Sequence, residues 1–178
     1  MALRLPRTIR LDASDTFVYQ PAAEPGEWAV TGTFLFFGVD TAKLSGKQRQ
    51  AFRAGFLGIA SFGWSTLAIV TEASEGERAA AVEHLAAQLV RHCGAPDPAA
   101  ARAAAEEEIA FAQSLCDHKP NTLLGLQRTS EGDHIRETFR TLHRSVARLE
   151  RANAFRFVAV EEENGEDVDI AALAERPS

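Results

Sequence analysis

The stretch SLCDHKPN, residues 114–121, contains the side chains in this sequence that best suit metal or redox chemistry. Cys116, Asp117 and His118 supply a thiol, a carboxylate and an imidazole, which are groups that bind zinc and iron in proteins. Consecutive helical residues point about 100° apart, so the three can face one ion only where the helix has already ended. His118 lies beyond the predicted helix end and could turn back toward Glu75 and Glu77. One interpretation of the stretch is therefore a metal site that would hold zinc or iron.

Glu108 is the carboxylate that could complete this site, because it lies two helical turns before Cys116 on the same side. Only one residue of the run 106–108 can face inward, so general acid–base catalysis would need a second carboxylate from elsewhere. The alternative interpretation is structural. Cys116 then continues the apolar helix face as a small hydrophobic residue, and the helix dipole stabilises His118. No CxxC or HxH spacing accompanies the trio, which favours the structural interpretation.

The composition is typical of a globular protein with one domain. The chain has 178 residues, of which 46% are hydrophobic and 25% charged. That length suits one hydrophobic core and is short for two domains of typical size. A net charge of −6 argues against a general nucleic-acid-binding protein. The apolar runs are shorter than the about 20 residues of a membrane span, and the first residues lack a signal-peptide pattern. We therefore expect a cytoplasmic protein.

Two helices in the middle of the chain carry clear start signals. Ser74 and Glu77 have the spacing of a capping box at the start of the helix predicted over 74–93. Asp97 followed by proline begins the helix predicted over 98–117. Because four residues join the two helices, they are predicted to form an antiparallel hairpin.

The hairpin separates the two cysteines of the chain. Cys93 ends the first predicted helix and Cys116 ends the second, so the two lie at opposite ends of an antiparallel pair. At 1.5 Å per residue the separation is about 30 Å. This distance excludes a disulfide, or a shared metal ion, between Cys93 and Cys116.

A third long helix is predicted over 133–151, from apolar residues that recur at steps of three and four. Its arginines form a basic ridge on another side of the helix, at Arg136, Arg140, Arg144, Arg148 and Arg151. Such a ridge suits an acidic partner protein, an anionic membrane surface or RNA. Alternatively it is solvated, or pairs with the acidic run 161–169. A β-hairpin over 123–139 competes with this helix, but it would place Glu137 on the same face as Ile135 and Phe139, which favours the helix.

Strands dominate the remaining sequence. They are predicted from alternation and from β-branched and aromatic content, at 3–11, 16–20, 27–38, 61–73, 121–130 and 155–162. The spacing of Phe52, Phe56 and Ile59 adds a helix over 44–59. The pattern predicts an α+β fold in which about four helices, including the antiparallel hairpin, pack on one mixed or antiparallel sheet. We expect one globular domain, 1–162, and a loosely held acidic tail, 163–178.

The segments LPRTIRLDASDTFVY, SFGWSTLAIVTEA and EEEIAFAQSLCDH resemble those of a family of small bacterial proteins with no assigned function. The resemblance covers residues 1–142. It implies an accessory role associated with the maturation of molybdoenzymes. It implies no catalytic residue.

We therefore predict a protein that acts through contacts with another protein, as an accessory or assembly factor without catalytic activity. A component of molybdoenzyme maturation is the partner that the resemblance implies, and the alanine-rich helix face could also meet a second copy of the chain. One alternative is a metal-binding or redox protein with its site at Cys116, His118 and Glu108. A second alternative is an enzyme whose cleft the sequence does not reveal.

Overall fold

A computed structural model describes residues 2–10 and 15–144, with the backbone alone at Asp15, His143 and Arg144, and the backbone of 157–161 and 168–169. Four helices lie within this part of the chain, at Asp15–Val18 (α1), Gly46–Ala54 (α2), Glu75–Cys93 (α3) and Pro98–Ser114 (α4). Short 3-10 helices cover Thr33–Phe36 and Thr41–Lys43. Among the described residues, each helix is too short or too polar to cross a bilayer.

Strands in the described ranges form two sheets. The strands are Arg4–Ile9 (β1), Ala29–Val30 (β2), Phe56–Gly58 (β3), Trp64–Ser65 (β4), Leu67–Glu72 (β5), Leu123–Glu131 (β6), His134–Arg144 (β7), Phe157–Glu161 (β8) and Val168–Asp169 (β9). The main sheet is antiparallel in the order β1-β5-β6-β7, and both β8 and β9 pair with β7. A small second sheet has the order β2-β3-β4. The predicted α+β class is confirmed.

The helix pair α3–α4 forms as its signals predict. The Ser74 side chain accepts a hydrogen bond from the Glu77 N–H and the Glu77 carboxylate accepts one from the Ser74 N–H, so the capping box is complete. Gly94 ends α3 in the left-handed conformation that favours glycine. The Asp97 side chain accepts a hydrogen bond from the N–H of Ala100 at the start of α4. These contacts are local, which is why the sequence alone predicted both helices.

The helix predicted over 133–151 is wrong across its described residues, because β7 begins at His134 and pairs with β6. Gly132 and Asp133 form the two-residue loop of this hairpin, and Gly132 has a φ of 62°. Glycine followed by aspartate is a hairpin signal, since glycine adopts positive φ without strain. The rejected hairpin is therefore the structure of this segment. Glu137 does face the core, where it meets a buried arginine.

Three smaller predictions also need correction. The strand predicted over 16–20 is a helical turn, α1. Within 27–38 the strand is only β2, followed by the 3-10 helix Thr33–Phe36. The helix predicted over 44–59 ends at Ala54, because the chain enters β3 directly after Gly55. In each case short apolar runs fit a strand and a helix about equally well in the sequence.

Two apolar clusters hold these elements together. The larger cluster joins the inner faces of α3 and α4 to the small sheet, through buried residues such as Leu85, Ile109 and Leu57. The smaller cluster lies against the main sheet and contains Cys116 and Leu124. α4 therefore contacts both sheets, and its alanine-rich face lies inside the molecule.

Candidate functional site

The most unusual chemistry among the described residues is a buried charge cluster centred on Arg128 of β6. The side chains of Arg128 and Glu137 are both entirely buried, and Arg128 Nε lies 3.1 Å from Glu137 Oε1. Buried charges are rare because leaving water is costly, so each must be matched by partners. The register of the hairpin places these two residues directly opposite each other on β6 and β7.

The guanidinium of Arg128 donates to six acceptors. They are Glu137 Oε1, Thr33 Oγ1 at 2.8 Å, and the carbonyl oxygens of Thr31, Ala51 (3.2 Å), Phe52 (3.1 Å) and Gly55 (2.9 Å). Three of these carbonyls lie at the C-terminal end of α2, where the helix dipole favours a cation. Arg128 therefore connects the hairpin β6–β7 to α2 and to the segment 31–33.

Glu137 is less well matched than its partner. Its Oε2 atom is buried and has no hydrogen-bond partner among the described residues. Burial raises the pKa of Glu137, and the charge and hydrogen bond of Arg128 oppose that rise. A buried carboxylate oxygen without a donor is costly, so a nearby donor would stabilise it.

Glu108 of α4 is a titratable group close to this pair. It is half-buried, and α4 contacts β7 one turn further on, where the rings of Phe111 and Phe139 meet at 5.9 Å. Burial, followed by the charges of Glu137 and Glu107, raises the pKa of Glu108 to about 7, although Arg128 opposes the rise. A carboxyl group with such a pKa can gain or lose a proton near neutral pH.

The SLCDH stretch begins at Ser114, the C-terminal residue of α4. Cys116 is 2% exposed and packs with apolar side chains of the main sheet. Burial raises the pKa of its thiol to about 12. Asp117 is exposed, and the His118 carbonyl oxygen accepts a hydrogen bond from Arg4 Nη1 at 2.9 Å. The structural interpretation of Cys116 and Asp117 therefore matches their environments.

Two adjoining open clefts flank Asp117, with volumes of about 470 and 490 Å³. Arg4 and Asp117 line both clefts. Glu75 and Cys116 line the first, as an antiparallel pair of helices predicts, and His118 lines the second. The stretch therefore borders a groove that water can enter, but its thiol is directed into the core.

The described residues contain no group of three or more histidine, cysteine, aspartate or glutamate side chains that could hold a metal ion. Glu108, Cys116 and His118 therefore do not form such a group. A zinc or iron site at these residues stays a prediction. Metal content by mass spectrometry, before and after Cys116→Ala, would test it.

The described part of the predicted basic ridge lies on the strand β7. Arg136 and Arg140 are four residues apart on β7, so they share the sheet face opposite to Glu137. Both are exposed. Arg136 Nη2 lies 3.1 Å from Glu131 Oε2, and Arg140 Nη2 donates to Gln127 Oε1 at 3.5 Å.

The remaining residues of the ridge are only partly covered by the structure. Arg144 ends β7 and is described by its backbone alone, whereas Arg148 and Arg151 lie outside the described residues. Asp169 of β9 is the register partner of Arg136 on β7. Part of the acidic C-terminal segment therefore runs beside β7. This placement agrees with the alternative in which the acidic run lies next to the ridge.

Residues 1–162 match the model of a family described as Family of unknown function (DUF6505). The chain belongs to the DUF6505 family. No curated protein and no solved structure matches it. The resemblance seen in the sequence is thus confirmed, and it extends 20 residues beyond the predicted limit of 142, through β8.

The family assignment brings no residue roles, so the site in this DUF6505 chain depends on its geometry. Arg128 is not among the residues predicted from the sequence to be functional, although a signal for it was present. Arg128 follows Leu124 and Leu126 at intervals of two residues, and Glu137 lies two residues before Phe139. Residues at this spacing share one face of a strand, so each charge lies on the apolar face. A two-residue loop at 132–133 sets the register that pairs them.

The two cysteines of this DUF6505 chain are expected to differ in reactivity. Both are free, but Cys93 is exposed and Cys116 is buried. Burial raises the pKa of both thiols, that of Cys116 to about 12, and the thiolate is the reactive form. We expect iodoacetamide at pH 8 to modify Cys93 in the folded protein and both cysteines after unfolding in urea, as read by peptide mass spectrometry.

Cys93→Ser is the control for this experiment. The folded variant should take up no label over the time in which wild type takes up one per chain. Rapid modification of Cys116 in the folded variant would contradict the burial of its thiol.

Proposed function

We propose that this protein is an accessory or assembly factor that acts by binding another protein and has no catalytic activity of its own. The observation that carries the proposal is a surface of exposed apolar and basic side chains between residues 37 and 53, called here the 37–53 surface. Its members are Phe37, Val39, Lys43, Lys47, Arg49 and Arg53, all exposed. Exposed apolar groups that lie together on a globular protein mark sites of interaction.

The apolar part of this surface consists of two exposed side chains, Phe37 and Val39. Phe37 is 52% exposed and Val39 is 41% exposed. The loop is fixed to α2 at both ends, because the rings of Phe36 and Phe52 contact at 5.1 Å and Arg49 Nη2 donates to the Leu44 carbonyl oxygen at 2.7 Å. The loop and the exposed side of α2 therefore form one surface.

The charge of this surface is opposite to that of the whole chain. Four of its side chains are cations, and the one carboxylate within 37–53 is Asp40, which lies 3.4 Å from Lys43. The chain as a whole carries a net charge of −6. We infer that the partner presents acidic side chains around an apolar anchor, which would pack on Phe37.

A protein segment fits this surface better than an extended polyanion does. Charges interact over about 8 Å at physiological salt, so a short acidic segment feels mainly the local cations. Nucleic acid or an anionic bilayer would extend past the surface and meet the acidic remainder of the molecule. Arg136 and Arg140 are a weaker candidate surface, because Glu131 and Gln127 already bind them.

The test compares two matched double variants. Phe37→Ser/Lys47→Glu changes the 37–53 surface, and Val90→Ser/Arg91→Glu changes one apolar and one basic residue that are exposed on α3. Each variant is cross-linked in cells, and a captured protein is purified and titrated by calorimetry. Components of molybdoenzyme maturation are the first partners to titrate. We expect at least about 30-fold weaker binding for the first variant, from the loss of an aromatic anchor and an inverted charge.

Support requires one defined protein that binds wild type and the α3 variant alike and loses affinity for the 37–53 variant. A partner that instead loses affinity for Arg136→Glu/Arg140→Glu would overturn the assignment of this surface. Binding to phosphatidylglycerol vesicles without any protein partner would overturn the proposal as well. Unchanged melting temperatures for both double variants would show that folding is intact, as expected for surface changes.

A further inference from the structure

The groove beside Asp117 consists of two adjoining clefts whose linings differ in charge. The first, of about 470 Å³ and called here the acidic cleft, has among its polar lining residues Glu75, Gln113, Ser114 and Asp117. The second, of about 490 Å³ and called here the basic cleft, has among its lining residues His118, Lys119 and Thr122. Arg4 and Asp117 line both clefts. A ligand that fills the groove therefore meets cations at one end and carboxylates at the other.

Arg4 carries a positive charge at the centre of this groove. Its Nη1 atom donates to the His118 carbonyl oxygen at 2.9 Å, which holds the guanidinium in place. Its Nε atom is buried and has no acceptor among the described residues. In that part of the chain Arg4 forms no ion pair, and Glu72, its register partner on β5, lines neither cleft. A guanidinium that is already positioned and lacks a counter-ion favours binding of an anion.

Two further donors border the basic cleft. Lys119 is exposed, and within the described ranges its ammonium forms neither an ion pair nor a hydrogen bond. The same holds for the ring of His118, which offers an N–H donor in either protonation state. The Thr122 side chain donates to the Lys119 carbonyl oxygen at 2.7 Å, so the turn that presents Lys119 is fixed. The basic cleft thus presents donors from three side chains.

We propose that this groove binds a small phosphorylated molecule, with its phosphate in the basic cleft and its hydroxyl groups in the acidic cleft. Arg4, His118 and Lys119 donate to the phosphate, which has three terminal oxygens where a carboxylate has two. The carboxylates of Glu75 and Asp117 accept from the hydroxyl groups. Each cleft has a volume within the range of small-molecule sites, about 300–1,000 Å³. The groove shares no residue with the 37–53 surface, so the proposal stands independently of partner binding.

Asp117 gives the groove a preference among phosphates. Its charge lies next to the bound phosphate and opposes binding of a bare anion. A ligand with hydroxyl groups recovers part of that loss, because the same carboxylate accepts a hydrogen bond from it. We therefore expect a phosphorylated sugar to bind more tightly than inorganic phosphate, and an unphosphorylated sugar to bind least.

Calorimetric titration of the full chain tests this order with ribose 5-phosphate, inorganic phosphate and ribose. We expect ribose 5-phosphate to bind about tenfold more tightly than inorganic phosphate, the effect of one added hydrogen bond to a charged group. Ribose should give no measurable binding. Equal affinities for ribose 5-phosphate and inorganic phosphate would overturn the role of the acidic cleft, and no binding of either at about 20 mM would overturn the site.

Matched variants locate the site. Lys119→Gln should weaken ribose 5-phosphate binding about tenfold, whereas Lys47→Gln, which removes an exposed lysine from the 37–53 surface, should leave it unchanged. Arg4→Lys keeps the charge but not the planar fork, and should weaken binding as well. Equal effects of Lys119→Gln and Lys47→Gln would place the phosphate elsewhere and overturn the assignment. Because Lys119 is exposed, its variant remains informative even where Arg4→Lys disturbs folding.

Asp117→Asn gives a change of opposite sign that a structural role would not produce. Without the charge at this position, inorganic phosphate should bind about threefold more tightly. Ribose 5-phosphate should gain less, because the amide replaces a stronger acceptor for its hydroxyl groups. Weaker binding of inorganic phosphate to Asp117→Asn would contradict the placement of the phosphate beside this carboxylate.

Discussion

Glu137→Ala is expected to lower the free energy of unfolding by about 3–5 kcal/mol, the usual cost of removing one partner from a buried ion pair. The variant leaves the fully buried guanidinium of Arg128 without its counter-ion. The five remaining acceptors are neutral oxygens, which match its hydrogen bonds but not its charge. Urea unfolding monitored by tryptophan fluorescence measures the change.

Glu131→Ala is the matched control for this prediction, because it removes a carboxylate from the same hairpin. Glu131 pairs with Arg136 at the surface, where both side chains are 51% exposed. Such a pair contributes about 0–1 kcal/mol. Similar losses for Glu137→Ala and Glu131→Ala would contradict the central role given to the buried pair.

Gly32→Ala is expected to cost about 2–4 kcal/mol, from backbone strain and overpacking together. Gly32 has a φ of 76°, and an added Cβ would lie 2.7 Å from Leu57 Cβ and 2.9 Å from the Trp64 ring. The residues on either side, Thr31 and Thr33, both accept hydrogen bonds from Arg128. A shift of this segment would therefore also weaken the bonds around the buried charge.

Gly38→Ala separates the two contributions to this cost. Gly38 has nearly the same φ, 73°, but an added Cβ would meet no atom within 4 Å. The free energy of unfolding of Gly38→Ala should fall by only about 1 kcal/mol, the cost of a left-handed backbone conformation in a residue with a Cβ atom. Thermal and urea unfolding measure both variants. Equal losses of unfolding free energy for Gly32→Ala and Gly38→Ala would show that close packing does not contribute to the cost at Gly32.

Arg128 links the stability of the fold to the proposed binding surface. Arg128 holds Thr33, just before the 37–53 surface, and the carbonyls at the end of α2, which closes that surface. The position of Phe37 relative to Arg53 thus depends on the buried guanidinium of Arg128. Variants of Arg128 should therefore weaken partner binding through displacement of the surface, even where the exposed side chains are unchanged.

The parts of the fold that the sequence predicted correctly are those with local causes. Ser74, Glu77, Gly94 and Asp97 act within a few residues of themselves, so α3 and α4 and their antiparallel pairing could be read directly. The same local reasoning predicted that Cys116 continues the apolar face of the second helix. The structure confirms the burial of Cys116.

The parts predicted wrongly depend on contacts between residues distant in the chain. The segment after Asp133 has apolar residues at helical spacing, and Glu137 was treated as a residue that must face water. Its burial becomes favourable only because Arg128 lies opposite, and Arg128 in turn needs carbonyls from α2 that are 73 to 77 residues away.

By itself the sequence determined the α+β class, the family and the helix hairpin, because capping, periodicity and composition act locally. The tertiary structure alone decided that the segment from His134 to Arg144 is a strand and that Arg128 and Glu137 form a buried ion pair. The physical reason is that a buried charge is acceptable only when groups from several elements converge on it. That convergence exists only in the folded chain.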